Sequence, residues 1–423
     1  MTYVAVRYGQ RELSIRVPTE LLAYELRPSD APESAELDAE VEAALAEPVE
    51  SARLREIVRP RSRVALLVDD ITRPTPTKRI LPHVLEELKR GGVATENIQL
   101  VIALGTHRPM ASEEMVEKYG SEILAQLEIV SHDCLDTDNL VSFGTTRRGT
   151  EIWVNRVVAE ADIKVGIGNI VPHHPTGWSG GAKILLPGVA GQKTTAQFHL
   201  LGADEQHLGS VETPCREEME DFAQALGFDF IINTVLDRSG NLVKAVAGHI
   251  VAAHRVGVRF ASQVFGVPFE RFSDVTLSST YPIDFDLFQA DKGLFSAALS
   301  TVPGGEIVLL SPCYEGISAT HGEAAELAGR DDGTLRAMAH NTESHVDPLS
   351  VAEVLYLNSL RRTFNITLAC ERVPKEVVER FGFRYIRPDD LQAYVDEKVR
   401  TGHTIGIIHN STETLPLQRN ISR

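Results

Sequence analysis

Short apolar segments alternate with helical stretches through much of the chain, and this rhythm constrains the fold more than any other feature. Residues 63–69 and 98–104 are apolar runs of strand length, and residues 74–88 between them have helical spacing. Residues 163–168 form another apolar run, after a further helical stretch at 112–119. Strands separated by helices are typical of βαβ units. The pattern therefore predicts an α/β fold with a mostly parallel sheet.

A second series of apolar runs begins later in the chain, at residues 274–278, 306–310, 365–369 and 404–409. Because this series again alternates with helical spacing, it predicts a second, smaller α/β domain. We expect an N-terminal domain over residues 1–265 and a C-terminal domain over residues 274–404. The linker between them contains Pro268.

The composition is that of an acidic globular protein of enzyme size. Lys and Arg total 42 against 59 Asp and Glu, a formal net charge of −17, which opposes binding to nucleic acids and to anionic membrane surfaces. No apolar stretch reaches the roughly 18 residues of a membrane span, and the N-terminus lacks an apolar signal core. Four dispersed cysteines without a CxxC pair are typical of a reducing compartment. We expect a cytoplasmic protein with no nucleic-acid or membrane partner.

Ligands of open parallel sheets bind at the carboxyl ends of the strands, and two loops at these positions carry candidate catalytic groups. Residues 69–76 (DDITRPTP) include Asp70, Thr72 and Arg73, whose guanidinium suits a carboxylate or phosphate. The alternative is an Asp/Thr cap on the next helix, with Arg73 paired to Asp70.

His107, in GTHRP, follows the next strand and is placed for proton transfer near neutral pH. The alternative there is an ordinary surface histidine.

Residues 168–191 form the segment that points most directly to function. It holds six glycines around the adjacent His173 and His174 and a single lysine, Lys183. Glycines let a backbone approach a ligand closely. The apolar run 184–186 would desolvate the Lys183 amine and make it nucleophilic. The spacing matches neither a P-loop nor the GxGxxG dinucleotide fingerprint. A structural glycine-rich turn is the alternative, but it has no need of two histidines and a lysine together.

Two further candidates have weaker signals. His199 lies on a predicted helix, where a core histidine is more common than a metal ligand. Gln289 and Lys292 are three residues apart, so on a helix they share one face, where an amide and an ammonium suit a substrate carboxylate. Most such pairs are simply solvated.

Taken in order, these motifs resemble the nickel-dependent lactate racemase family. The resemblance rests on DITRPTP at 70–76, GTHRP at 105–109 and PHH…GWSGGAKI…PGV at 172–189. His199 and Gln289-x-x-Lys292 complete it. The resemblance covers essentially the whole chain, and its glycine-rich lysine segment is highly specific.

The resemblance implies a covalently bound cofactor and a set of site residues. The cofactor is a nickel-pincer nucleotide, a pyridinium-3-thioamide-5-thiocarboxylic acid mononucleotide that holds nickel through its sulfurs and a ring carbon. Lys183 matches the lysine tethered to it by a thioamide, and His199 matches the histidine that completes the nickel coordination. His107 and His173, rather than His174, match two histidines that act as acid and base on opposite faces of the substrate.

The resemblance also implies contacts, architecture and partners. Arg73, Gln289 and Lys292 match residues that contact cofactor and substrate, and the loop of Asp70, Ile71, Thr72 and Arg73 matches the one that helps to hold the nucleotide. The family has two α/β domains with mostly parallel sheets and the active site in the cleft between them. The last segment, 405–423, is expected to return to the first domain. The implied partners are a small-molecule 2-hydroxy acid and, transiently, proteins of cofactor biosynthesis.

The chemistry agrees with these roles. The Cα of a 2-hydroxy acid is a very weak carbon acid beside an ionised carboxylate, so its hydrogen leaves more easily as hydride while a base takes the hydroxyl proton. This scheme needs one acid–base group on each face and cations for the carboxylate. We therefore expect a racemase or epimerase that acts on a 2-hydroxy acid by proton-coupled hydride transfer.

The sequence leaves the particular 2-hydroxy acid and the oligomeric state open. Both tryptophans, Trp153 and Trp178, precede the second domain, in which lactate-specific members carry one; Tyr356 is the candidate replacement. Two other functions are also open: a nicotinamide-dependent 2-hydroxy acid dehydrogenase, and a non-catalytic protein that binds a nucleotide or other ligand.

Overall fold

The computed structural model describes residues 1–28, 35–203, 206–318, 321–340 and 346–419. The chain divides into two compact units. The central unit is made of residues 30–201 and 209–264, and the terminal unit of residues 1–29, 202–208 and 265–423.

The strands of the described residues are, in chain order, β1 (Thr2–Tyr8), β2 (Arg11–Val17), β3 (Leu22–Leu26), β4 (Val64–Val68), β5 (Ile98–Ile102), β6 (Glu128–Ser131), β7 (Leu140–Thr145), β8 (Glu151–Asn155), β9 (Ile163–Asn169), β10 (Pro172–His173), β11 (Gly177–Trp178), β12 (Phe230–Leu236), β13 (Leu242–Gly248), β14 (Gly266–Phe269), β15 (Ser273–Ser279), β16 (Thr301–Leu310), β17 (Asn365–Ala369), β18 (Arg384–Ile386), β19 (Ile405–Ile408) and β20 (Leu415–Gln418).

The α-helices of the same residues are α1 (Leu37–Ala46), α2 (Leu54–Ile57), α3 (Thr77–Arg90), α4 (Ser112–Tyr119), α5 (Ser121–Gln126), α6 (Arg156–Glu160), α7 (Gln192–Leu201), α8 (Pro214–Ala225), α9 (Ala252–Phe265), α10 (Leu287–Ala290), α11 (Lys292–Ala298), α12 (Ala324–Leu327), α13 (Asp332–His340), α14 (Pro348–Thr363), α15 (Lys375–Arg380) and α16 (Leu391–Arg400). Each of these helices is too short or too polar to span a lipid bilayer.

The central unit is built on a six-stranded sheet with the order β13-β12-β9-β4-β5-β6. Neighbouring strands are parallel except β13, which pairs antiparallel with β12. Separate apolar clusters cover the two faces of this sheet: Leu66 and Val68 of β4 face one cluster, and Ala65 and Leu67 face the other. Burial on both faces explains why β4 is a continuous apolar run in the sequence.

The central strands of this sheet end side by side. Val68, the last residue of β4, pairs with Ile102 of β5 and with Ile167 of β9. The loops that follow β4, β5 and β9 therefore leave the sheet at one edge, which is where parallel sheets bind their ligands. The motifs around Asp70, His107 and Lys183 lie in or just after these three loops.

The terminal unit has a second six-stranded sheet, with the order β18-β17-β16-β15-β19-β3. Every neighbouring pair in it is parallel. The β1–β2 hairpin contributes Val4, Val6 and Ile15 to an apolar cluster shared with Leu277 and Ile407 of the sheet. The predicted α/β class with mostly parallel sheets is thus confirmed in both units.

The division of the chain differs from the expected boundaries at both ends. Residues 1–28 lie in the terminal unit rather than with the first α/β series, because β3 pairs with β19. The Tyr24 hydroxyl is buried there within 2.9 Å of the Ser273, Thr276 and Ser300 hydroxyls. Residues 405–419 also lie in the terminal unit and do not return to the central one.

Candidate active site

Asp70 and His107 form a hydrogen-bonded pair at the carboxyl edge of the central sheet. The Oδ2 atom of Asp70 lies 2.6 Å from Nδ1 of His107. The other carboxylate oxygen accepts from the backbone N–H and the hydroxyl of Thr72, at 2.9 and 2.5 Å. Because a carboxylate only accepts, Nδ1 of His107 carries the hydrogen and Nε2 carries the lone pair.

The electrostatics of this pair favour a neutral imidazole beside a charged carboxylate. Burial opposes ionisation of Asp70, but the hydrogen bonds from His107 and Thr72 outweigh it and hold its pKa well below the usual range. Burial is the largest influence on the His107 imidazole and lowers its pKa. The hydrogen bond and charge of Asp70 raise the pKa, while the charges of Arg73 and Lys183 lower it further. The His107 side chain is still 39% exposed. His107 is therefore an accessible base near neutral pH.

Lys118 of α4 stabilises the loop that carries Arg73. Lys118 donates to the carbonyls of Arg73 and Thr75, at 2.6 and 2.9 Å, and its amine lies 3.2 Å from Asp69. The helix-cap alternative for this motif is not supported, because α3 begins at Thr77 with no side-chain cap. Ile71 packs against the core of the central unit.

Lys183 lies in a short 3-10 turn, Gly181–Ile184, that begins at a pair of glycines. Gly180 and Gly181 have φ values of 75° and 58°, which favour glycine. The Gly181 N–H donates to the side chain of Asn233 at 2.7 Å. Lys183 is half-buried, and its charge lowers the pKa of His107. Lys183 therefore interacts electrostatically with the Asp70–His107 pair.

Two buried cation-forming side chains hold this loop, and sequence analysis missed both. Arg216 of α8 is fully buried and donates to the carbonyls of Trp178 and Gly180; burial lowers its pKa to about 9. His254 of α9 donates to the Ser179 carbonyl at 2.9 Å, and burial lowers its pKa well below the usual value. Neither residue lies in a recognisable motif, and each is distant in sequence from the loop it supports.

His173 lies on the short hairpin formed by β10 and β11, where it pairs with Gly177. Its Nδ1 atom is 2.8 Å from the hydroxyl of Thr176, a residue that the sequence analysis did not single out. His174 is the next residue and is also half-buried. The hydrogen-bonded setting of the His173 ring is that of a positioned imidazole rather than of a mobile loop side chain.

His199 lies on α7, where its Nδ1 atom is 2.8 Å from the carbonyl of Thr195 in the preceding turn. A carbonyl only accepts, so Nδ1 carries the hydrogen and the lone pair lies on Nε2. Metal-ligating histidines commonly donate their second N–H to a carbonyl in this way. No group of three or more His, Cys, Asp or Glu side chains converges on a metal position within the described ranges.

Gln289 and Lys292 lie in the terminal unit and contact each other directly. The Lys292 amine donates to the Gln289 side-chain oxygen. They do not lie on one continuous helix, however. Asp286 caps α10 by accepting from the Gln289 N–H at 2.7 Å, and the chain passes from α10 to α11 at Asp291.

A pair of carboxyl groups beside Lys292 was also missed from the sequence. Asp291 and Glu353 are both buried and hydrogen-bond to each other, which requires one of them to be protonated. Burial raises the pKa of Asp291 to about 6, and burial together with Asp291 raises that of Glu353. Lys292 and Asp286 are the other charges near this pair.

Comparison with known proteins agrees with the motifs at this site. Residues 8–209 match a family model described as the lactate racemase N-terminal domain. The chain is 32% identical to lactate racemase from Lactiplantibacillus plantarum over 324 aligned residues. The alignment covers 75% of this chain and 76% of the relative. Lactate racemase from Thermoanaerobacterium thermosaccharolyticum is 29% identical over the same shares.

Solved structures show the same fold. The lactate racemase apoprotein from Thermoanaerobacterium thermosaccharolyticum aligns with a TM-score of 0.86 and 23% identity, over 98% of this chain and 100% of that one. A Thermotoga maritima protein aligns with a TM-score of 0.67 and 20% identity, over 90% and 98%. The sequence relatives define an enzyme of the isomerase class. The chain belongs to the lactate racemase family.

Proposed function

We propose that this protein is a racemase or epimerase of a 2-hydroxy acid. The observation that carries the proposal is the Asp70–His107 pair, a positioned neutral base within the electrostatic reach of Arg73 and Lys183. It lies in the segment that matches the lactate racemase N-terminal domain. Lactate, the acid in the names of the relatives, is the first substrate to test.

The reaction places a separate demand on each imidazole. His107 in its neutral form takes the hydroxyl proton of one enantiomer as the C=O bond forms and the Cα hydrogen leaves with its electron pair. Once hydride returns to the other face of the planar 2-oxo acid, a protonated His173 gives a proton to the oxygen. The reverse direction exchanges the roles, and proton exchange with solvent resets the pair. The substrate carboxylate is assigned to the Arg73 guanidinium, in the same unit as the two imidazoles.

The residues of the central unit fit a nickel-pincer nucleotide. His199 has its Nδ1–H committed to the Thr195 carbonyl, which suits Nε2 to nickel. Lys183 offers an amine on a loop held by buried side chains, and Arg73, at the end of the loop of Asp70, Ile71 and Thr72, offers guanidinium donors to a phosphate. When bound, the cofactor supplies the acceptor and donor of the Cα hydride.

The experiment that tests the proposal uses protein produced together with the enzymes of cofactor biosynthesis, which are also its proposed transient partners in the cytoplasm. Single enantiomers of lactate, malate and larger 2-hydroxy acids are followed for loss of optical rotation. We expect racemisation or epimerisation of at least one acid, with deuterium at Cα largely retained in ordinary water. A mass increase on the peptide containing Lys183 is expected as well.

Variants separate this function from its alternatives. His107→Ala and His173→Ala should each reduce turnover by about a hundredfold or more. His249→Ala, at an exposed histidine of the same unit, is the control and should retain activity. Absorbance changes of added NAD(P)H with the same acids would instead identify a dehydrogenase. Full turnover by both His→Ala variants would contradict the assigned acid–base roles.

A further inference from the structure

The His173 ring is the first member of a short hydrogen-bonded chain. Its Nδ1 atom lies 2.8 Å from Oγ1 of Thr176, and the same Oγ1 lies 2.8 Å from the carbonyl oxygen of Trp178. Thr176 is fully buried, so water does not compete for its hydroxyl. The direction of the hydrogens in this chain decides which nitrogen of His173 can act as a base.

Only one arrangement of hydrogens satisfies all three groups. The Thr176 hydroxyl has one hydrogen, and the Trp178 carbonyl only accepts. If the hydroxyl donated to His173, two oxygens would face each other at 2.8 Å with no hydrogen between them. The hydroxyl therefore donates to Trp178 and accepts from His173, so Nδ1 carries the hydrogen.

The acceptor at the end of the chain is fixed by its surroundings. Trp178 pairs with Pro172 across the β10–β11 hairpin, and its indole N–H donates to the Gly209 carbonyl at 3.0 Å. The buried guanidinium of Arg216 donates to the same Trp178 carbonyl that Thr176 contacts. Because this carbonyl cannot turn away, the orientation of the Thr176 hydroxyl is fixed with it.

We propose that Thr176 is a positioning residue that fixes His173 in the tautomer with hydrogen on Nδ1 and the lone pair on Nε2. His107 has the same tautomer, but a carboxylate holds it instead of a neutral hydroxyl. Asp70 therefore also stabilises the protonated form of its histidine, whereas Thr176 sets only the tautomer. The importance of this tautomer for catalysis rests on the proposed function; the tautomer itself does not.

The first test needs neither cofactor nor activity. Apoprotein labelled with ¹⁵N in the histidine rings is examined by NMR, and a His173→Gln variant assigns the His173 signals. We expect wild-type His173 to show hydrogen on Nδ1 at pH values where the ring is neutral. Thr176→Val should shift the ring toward the Nε2–H tautomer, and Thr176→Ser should keep the wild-type pattern.

Thr234→Val is the matched control for loss of a buried hydroxyl. Thr234 is fully buried in the same unit, and its hydroxyl has no hydrogen-bond partner in the described part of the chain. Thr234→Val should leave the His173 signals unchanged. A wild-type ring with hydrogen on Nε2, or a Thr176→Val ring identical to wild type, would overturn the proposal.

The second test uses the loaded enzyme. Thr176→Val should lower kcat by about tenfold or more with little change in KM, because part of the His173 population holds the wrong tautomer. Thr176→Ser should restore most of kcat, which a purely steric role for the threonine methyl would not allow. If the NMR pattern holds but no 2-hydroxy acid is ever turned over, the proposed function fails while the tautomer assignment stands.

Discussion

The backbone N–H of Gly105 donates to the carbonyl of Gly188 at 2.9 Å, and this bond joins two loops of the candidate site. Gly105 lies two residues before His107, and Gly188 lies five residues after Lys183. A Cβ atom at Gly188 would lie 2.0 Å from the carbonyl oxygen of Ile184. The turn that presents the Gly188 carbonyl to Gly105 therefore depends on a glycine at this position.

We expect Gly188→Ala to destabilise the central unit by about 3 kcal/mol, because the added methyl meets backbone that cannot move aside. Thermal unfolding of the apoprotein measures this. Gly322→Ala is the control, since the nearest atom to its added Cβ is 3.7 Å away. Equal unfolding temperatures for the two variants would contradict the tight packing at Gly188.

Asp70→Asn should lower turnover by about 10²–10⁴-fold with little loss of stability. The asparagine amide can present an N–H to Nδ1 of His107, which favours the wrong tautomer. Removal of the carboxylate also removes the effect that raises the pKa of His107, so the acid limb of the kcat/KM profile should move to lower pH. Asp38→Asn, at the surface of the same unit, should change neither turnover nor profile.

The Asp291–Glu353 pair predicts a stability that depends on pH. The pKa of Asp291 is raised to about 6 and that of Glu353 is also raised, so the folded chain binds protons more tightly than the unfolded chain. The contribution of the pair to the free energy of unfolding is fully present below the ordinary carboxyl pKa of about 4 and falls as the pH rises through about 6.

Glu353→Gln should remove most of this dependence, because an amide can donate to Asp291 at every pH. We expect the variant to gain thermal stability relative to wild type on going from pH 5 to pH 7.5, by a few degrees. Scanning calorimetry at both pH values provides the measurement, with Glu376→Gln at an exposed position as control. A constant difference between variant and wild type would show that the pair shares no proton.

Arg216→Met should weaken the loop that carries Lys183. The substitution removes the buried guanidinium that donates to the Trp178 and Gly180 carbonyls, at a cost of about 1–3 kcal/mol. We expect faster amide exchange across residues 177–184 in a hydrogen-exchange experiment. Arg147→Met, at an exposed arginine, should leave this segment unchanged. Unaltered exchange in Arg216→Met would mean that the loop is held by its other contacts.

The α/β class could be predicted from the sequence, because strands buried on both faces appear as continuous apolar runs. The carboxyl ends of these strands directed attention to the loops of the candidate site. Asp70 and His107 were both singled out, but their contact was not, since the side chains meet only after β4 and β5 pair. The placement of β3 was missed because its partner, β19, is almost the whole chain away. Arg216 and His254 were missed because a buried polar residue on a helix leaves no local pattern.

The pairing of β3 with β19 has a consequence for biosynthesis. All residues of the central unit lie between β3 and β19 in the sequence. The ribosome therefore completes the central unit while β3 still lacks β19, its neighbour in the terminal sheet. Strand β3 must wait for more than 370 further residues before β19 emerges to cover its edge. Exposed strand edges invite pairing with other chains, so the nascent protein is most open to misassembly in this interval.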